Sequence, residues 1–133
     1  MELDIDSSVT DDDVVVLTIG GPMDVETSPR LRDSLVRLVD QGHHRFVLDL
    51  SRVDFIDSIG LGVLVGMVHR LRPYDGSLAV AAPSSQVSHV LQVTQLIRAV
   101  AVFDTADAAV SGVRDGGAVV SRARRSGEQA SAG

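Results

Sequence analysis

The residues of this chain that could take part in chemistry converge on Asp57 and Ser58, which follow the apolar pair Phe55 and Ile56. The next residues, 59–68, carry no charge, and this pattern predicts an apolar helix. Ser58 therefore falls where a helix N-cap belongs, with its hydroxyl directed at backbone N–H groups that lack a partner. A capping serine is useful in any protein, so its chemistry has to be judged from the rest of the chain.

The stretch around Ser58 lacks the spacing of common catalytic and cofactor motifs. A hydrolase nucleophile elbow needs glycine two residues before the serine, where this chain has Ile56, and no Ser-His-Asp set has a suitable order. Gly60, Gly62 and Gly66 do not fit a dinucleotide fingerprint, because their spacing differs and they lie inside the apolar run. We therefore expect no catalytic residues, no cofactor and no enzymatic activity.

Residue types that bind metals are present but poorly arranged. The acidic turn at residues 11–13 lacks the alternating ligands, glycine and distant glutamate of an EF-hand. His43 and His44 are adjacent at the predicted start of a strand, so their side chains would point to opposite faces. The chain has no cysteine, which excludes disulfides and thiolate sites. The sequence therefore predicts no metal site.

Length and charge limit the function further. A chain of 133 residues suits one domain with its own core. The net charge of -6 argues against nucleic acid as a direct partner, since phosphate binding needs clustered positive charge. The N-terminal residues lack the basic and apolar regions of a signal peptide, and the longest uncharged run is too short to span a membrane. These features predict a cytoplasmic protein without a membrane partner.

Alternating strand and helix patterns give the fold class. Leucines and a valine at helical spacing follow Thr27 and Ser28, either of which could cap a helix that has Pro29 in its first turn. The predicted strands cover residues 3–9, 14–19, 45–50, 77–82 and 99–103, and the predicted helices cover 27–42, 58–72, 84–95 and about 105–113. This order predicts an α/β fold with a mixed sheet in a domain of residues 1–113, followed by a disordered tail at 114–133.

Two segments of the chain resemble one known family. Asp57-Ser-Ile-Gly-Leu-Gly-Val-Leu, preceded by the strand Val47-Leu-Asp-Leu50, resembles the Asp-Ser-[Ser/Thr]-Gly-Leu signature of STAS-domain anti-sigma-factor antagonists, the bacterial partner-switching proteins. The segment of residues 17–31 resembles a second motif of that family, with matches at Gly21, Met23, Asp24, Thr27 and Leu31. The resemblance covers about residues 3–113 and includes the order of the elements.

The resemblance implies a single STAS-like domain, with a mixed sheet of four to five strands flanked by about four helices. It implies that Ser58 accepts phosphate from an anti-sigma factor that is a serine kinase, and that a serine phosphatase removes it. The unphosphorylated form would bind the anti-sigma factor and release a sigma factor, and phosphorylation would switch that binding off. The partner-binding residues predicted on this basis are Asp24, Asp57, Ser58, Ile59, Gly60, Leu61 and Gly62.

Some features depart from the family pattern or leave alternatives open. Ile59 stands where the family usually has a hydroxyl residue, which favours an alternative function: a STAS scaffold that is never phosphorylated, or an accessory subunit of a transporter ATPase or stress-signalling assembly. Gln95 replaces a common glycine. Asp24 could orient Ser58 or cap the first helix. Gly62 and Gly66 share a helical face, which could pack inside the domain or meet a partner.

Overall fold

The computed structural model describes residues 3–116 and 118–120. A five-stranded sheet has the strand order β1-β2-β3-β4-β5, in which β1 is antiparallel to β2 and the other neighbours are parallel. The strands are β1 (Asp4–Val9), β2 (Val15–Gly20), β3 (Arg45–Arg52), β4 (Ser77–Ala81) and β5 (Ala101–Phe103). The predicted α/β fold with a mixed sheet is confirmed.

Four α-helices follow the strands in the predicted order. They are α1 (Ser28–Asp40), α2 (Ser58–Leu71), α3 (Ser85–Val93) and α4 (Ala106–Arg114), and two short 3-10 turns lie at Arg72–Tyr74 and Leu96–Arg98. Pro29 lies in the first turn of α1, where its missing N–H costs no helical hydrogen bond. Among the described residues, no helix combines the length and the apolarity needed to cross a membrane.

The two faces of the sheet bury separate clusters of apolar side chains. One face packs against α1, α2 and α3, with Phe46 and Leu48 of β3 and Leu78 of β4 among its fully buried residues. The other face packs against α4, to which the alternate residues Val47 and Ala79 point. Central parallel strands covered on both faces are largely apolar, as β3 and β4 are, and this composition makes such strands recognisable from the sequence.

The described residues that follow α4 continue the sheet. Val119 forms an antiparallel bridge with Ser77, and the N–H of Leu78 donates to the Ala118 carbonyl at 3.1 Å. The side chain of Val120 is fully buried. The packed domain thus reaches Val120, beyond the predicted boundary at 113, while residues 121–133 of the predicted disordered tail lie outside the described residues.

Gln95, which replaces a glycine common in the family, has a left-handed backbone conformation with φ of 62°. This conformation costs a residue with a side chain about 1–2 kcal/mol, and glycine avoids most of that cost. We expect Gln95→Gly to raise the free energy of unfolding by about 1 kcal/mol in urea denaturation. Gln92→Gly, inside α3, is the matched control and should lower it. An equal loss in both variants would contradict this account.

Candidate functional site

The candidate site lies where the segments that follow β2 and β3 meet at one edge of the sheet. Met23 forms a parallel bridge with Ile56. The N–H of Met23 donates to the Phe55 carbonyl at 2.9 Å, and the N–H of Asp57 donates to the Met23 carbonyl at 3.1 Å. These contacts place the two segments at the same end of the sheet, which is the usual arrangement for the segments that follow adjacent parallel strands.

Asp57, and not Ser58, is the N-cap of α2. Its Oδ1 accepts hydrogen bonds from the backbone N–H groups of Ile59 and Gly60, both at 2.9 Å. The prediction that Ser58 caps this helix is therefore wrong. Serine and aspartate cap equally well, and the hydrogen bond from Asp57 N–H to Met23 holds Asp57 in an extended conformation, with ψ of -173°, just outside the helix.

Ser58 is consequently the first residue of α2 and is exposed. Within the described part of the chain, its side chain makes no hydrogen bond. The hydroxyl is thus available to a partner, because the capping that would have occupied it is supplied by its neighbour. This arrangement separates two roles that the sequence had placed on one residue: Asp57 stabilises the helix, and Ser58 presents an unused hydroxyl.

Asp24 organises the turn before α1. Its Oδ1 accepts from the N–H groups of Glu26 and Thr27 at 3.0 and 3.1 Å, and the Ser28 N–H donates to its carbonyl. The buried Thr27 hydroxyl lies 2.6 Å from the Pro22 carbonyl, so Thr27 holds the N-cap position without a side-chain capping bond. In the described residues no hydrogen bond joins Asp24 to Ser58, so the contacts of Asp24 favour the helix-starting role.

The hydrogen bond from the Thr27 N–H lowers the pKa of Asp24, and it outweighs the opposing effect of burial. A lowered pKa in the folded state stabilises the fold above the unfolded pKa of about 3.9, and this contribution is lost as the pH falls through the folded value. We expect Asp24→Asn to unfold at a lower temperature than wild type at pH 6, with the difference shrinking below pH 4. Thermal unfolding followed by circular dichroism measures it, and a difference that stays constant with pH would contradict it.

The segments on either side of this edge expose large apolar side chains, and Glu26 and Asp54 are exposed among them. Val25, Phe55 and Ile59 are 62%, 45% and 50% exposed and belong to the two segments that meet at this edge. Exposed large apolar side chains that cluster next to a polar group are typical of protein-binding surfaces. Val25 and Phe55 were not among the predicted site residues, because their exposure depends on how the two segments pack.

Among the described residues, no group of His, Asp or Glu is arranged to hold a metal ion.

The three glycines of α2 have different environments. Gly60 is buried, and a Cβ added there would lie 2.9 Å from the Met23 Cβ, so it permits the close approach of the Met23 segment. A Cβ at Gly62 or Gly66 would meet no atom of the described residues within 4 Å. Packing inside the described domain therefore does not explain Gly62 and Gly66.

The structure brings most of the predicted partner-binding residues to one surface. Asp57 caps α2, Ser58, Ile59 and Gly62 are exposed on it, and the Asp24 segment lies alongside. Gly60 is buried and Leu61 is half-buried against the core. Accessible contacts on this face therefore come from the first turn of α2 and the neighbouring segment rather than from Gly60.

The fold and this surface define a small α/β domain that presents a serine at a helix N-terminus. The model of the STAS domain family matches residues 7–109, and the chain belongs to that family. It is 33% identical over 96 residues to the anti-sigma-B factor antagonist of Staphylococcus epidermidis, covering 72% of this chain and 88% of that protein. The Staphylococcus aureus protein of the same name is 30% identical over the same length and coverage.

A solved structure supports the same family. The crystal structure of an anti-sigma factor antagonist from Mycobacterium paratuberculosis superposes with a TM-score of 0.78 at 27% identity. The match covers 85% of this chain and 95% of that one. The similarity thus extends over most of each relative, and the match to the family model spans the residues of the candidate site.

Proposed function

We propose that this chain is an anti-sigma-factor antagonist whose unphosphorylated form binds a serine-kinase anti-sigma factor and thereby releases a sigma factor. The observation that carries this proposal is the exposed Ser58 hydroxyl, left free because Asp57 caps α2 and bordered by exposed Phe55 and Ile59. The names of the relatives from Staphylococcus support the same role. In this proposal the chain acts in the cytoplasm as a regulatory binding protein and not as an enzyme.

Phosphorylation of Ser58 is the proposed switch. The γ-phosphoryl group of ATP moves to the serine: the Oγ–P bond forms, the bond between the γ-phosphorus and its bridging oxygen breaks, ADP leaves, and the hydroxyl proton is released. A serine phosphatase reverses the change by hydrolysis. The anti-sigma factor supplies the catalytic groups, and this chain supplies the accessible hydroxyl.

The charges around Ser58 favour a model in which phosphorylation weakens binding of the partner and changes the stability of the domain little. A phosphoserine adds almost two negative charges, which the dipole at the start of α2 favours. Asp57 opposes them, because its carboxylate already occupies the N–H groups of Ile59 and Gly60. These two influences offset each other within the domain. A partner that had packed on the apolar surface would instead have to desolvate the phosphate, and binding would be lost.

The decisive experiment combines the purified chain, the purified anti-sigma factor and ATP, and locates phosphate by mass spectrometry. We expect one phosphate, at Ser58, and none in Ser58→Ala. Ser85→Ala is the matched control, because Ser85 is also the exposed first residue of a helix, and it should be labelled as wild type. Phosphate at another residue, or full labelling of Ser58→Ala, would refute the assignment.

A second function is favoured by Ile59, whose side chain is half exposed where the family usually has a hydroxyl residue. In this alternative the chain is a STAS scaffold that never carries phosphate, such as an accessory subunit of a transporter ATPase or a stress-signalling assembly. Intact-mass measurement of the protein from its native cells separates the two. A phosphorylated fraction supports the switch, and its absence under every growth condition supports the scaffold.

A further inference from the structure

A shallow groove runs between α1 and α2, away from the Ser58 hydroxyl but connected to it through Ile59. We call it the α1–α2 groove and define it by Ser28 and Arg32 of α1 and by Ile59, Gly62, Gly66 and Arg70 of α2. It comprises two adjoining hollows of about 180 and 200 Å³, which share Arg32, Gly62 and Val63. Each hollow is smaller than a typical small-molecule pocket and is closer in size to a docked side chain.

Two features of the α1–α2 groove have no explanation inside the described domain. Gly62 and Gly66 weaken α2, yet a Cβ at either position would meet nothing within 4 Å. Ser28, which lines the hollow next to Ile59, is 1% exposed, and its hydroxyl has no hydrogen-bond partner among the described residues. Helix backbone without side chains and a buried hydroxyl without a hydrogen-bond partner are both consistent with a surface that packs against another chain.

The charge of the groove indicates the chemistry of that chain. The protein carries a net charge of -6, yet the two described charged residues that line the hollows are both arginines, one on each helix. Arg70 makes no hydrogen bond or ion pair with the described residues. Among the described residues, the only ion pair of Arg32 is with Asp33 at 3.4 Å, and both side chains are largely exposed, so this pair is weak. The groove is therefore complementary to carboxylates on an otherwise acidic molecule.

We propose that the α1–α2 groove binds an acidic segment of the same anti-sigma factor that contacts Ser58. An apolar side chain of that segment lies over the backbone of Gly62 and Gly66, and its flanking carboxylates pair with Arg32 and Arg70. Ile59 belongs both to the groove and to the Ser58 surface, so one partner can cover them together. This inference rests on the proposed function and adds a second contact, which selects among anti-sigma factors by charge.

The test measures affinity for the purified anti-sigma factor that phosphorylates Ser58. The chain has no cysteine, so Ser111→Cys on α4, across the sheet from the groove, provides one position for a fluorescent label and anisotropy measurements. In this background we expect Gly66→Leu, which fills the groove, and Arg70→Glu, which reverses its charge, each to weaken binding at least tenfold. Added salt should reduce the effect of Arg70→Glu.

Arg37→Glu is the matched control, because Arg37 is on α1 but lines a different cleft, next to β1. It should bind within twofold of wild type. The groove proposal is overturned if Gly66→Leu and Arg70→Glu bind within twofold of wild type and melt normally while Ser58→Asp abolishes binding. If no anti-sigma factor binds the wild-type chain, the proposed function fails as well.

Sedimentation velocity tests the competing occupant, a second copy of this chain. A wild-type dimer that becomes a monomer in Gly66→Leu would overturn the proposal. A monomeric wild type supports it, and Arg70→Glu remains an independent test if Gly66→Leu fails to fold.

Discussion

Ser58→Asp is expected to weaken binding of the anti-sigma factor by about a hundredfold, equivalent to about 2.7 kcal/mol, while the melting temperature stays within about 3 °C of wild type. The aspartate places a carboxylate at the first position of α2, where the helix dipole favours it and Asp57 disfavours it. The free energy of unfolding therefore changes little. Binding suffers because the charge lies beside Ile59 and Phe55, on a surface that the partner must desolvate.

Isothermal titration calorimetry measures the affinity, and calorimetric melting measures the stability. Ser58→Ala removes the hydroxyl without adding charge and should bind within about tenfold of wild type, since one hydrogen bond contributes about 1 kcal/mol. Ser111→Asp places the same charge on α4, on the other face of the sheet, and should leave affinity unchanged. A large drop in the melting temperature of Ser58→Asp would mean that the switch acts on the fold and would contradict the proposal.

The order of the elements could be predicted because it depends on local patterns. Largely apolar runs identified β3 and β4. The helical spacing of Leu31, Leu35 and Val39 identified α1, and these three side chains are buried in the structure. The pairing of Val119 with Ser77 could not be predicted. It depends on where α4 returns the chain relative to β4, and the short segment that contains Val119 has no strand pattern of its own.

The N-cap of α2 could not be predicted from neighbouring residues alone. Asp57 and Ser58 are both good caps, and their sequence alone does not rank them. The choice is made by Met23, more than thirty positions earlier in the chain, whose carbonyl accepts from the Asp57 N–H. The same carbonyl lies against Gly60. A single segment thus decides which residue caps the helix, which glycine is buried and, as a consequence, that the Ser58 hydroxyl is left free.

Helical periodicity predicted which glycines of α2 share a face, but it did not predict which face packs against the domain. Gly62 and Gly66 do share a face, as their spacing of four predicts. Which face meets the domain is a property of tertiary packing, and it is the face of Gly60 that does so. Close approach within the domain therefore belongs to Gly60, whereas Gly62 and Gly66 border open space among the described residues.

This division predicts opposite effects of the same substitution. Gly60→Ala is expected to lower the free energy of unfolding by about 2 kcal/mol, because overpacking costs about 1–3 kcal/mol and the gain in helix propensity offsets only part of it. The added Cβ would lie 3.0 Å from the Met23 carbonyl carbon, and Met23 is held by its hydrogen bonds to Phe55 and Asp57. The clash therefore cannot relax cheaply.

Gly66→Ala is the matched change on the face of Gly62 and should raise the free energy of unfolding by up to about 1 kcal/mol, since alanine favours the helix and the new methyl group meets no described atom within 4 Å. Urea denaturation of both variants gives the two signs directly. Equal destabilisation would mean that Gly66 contributes to packing inside the domain. It would then no longer support a partner contact at this position. Stabilisation of Gly66→Ala together with weaker binding of the anti-sigma factor would show that the chain keeps a less stable helix for the sake of its partner.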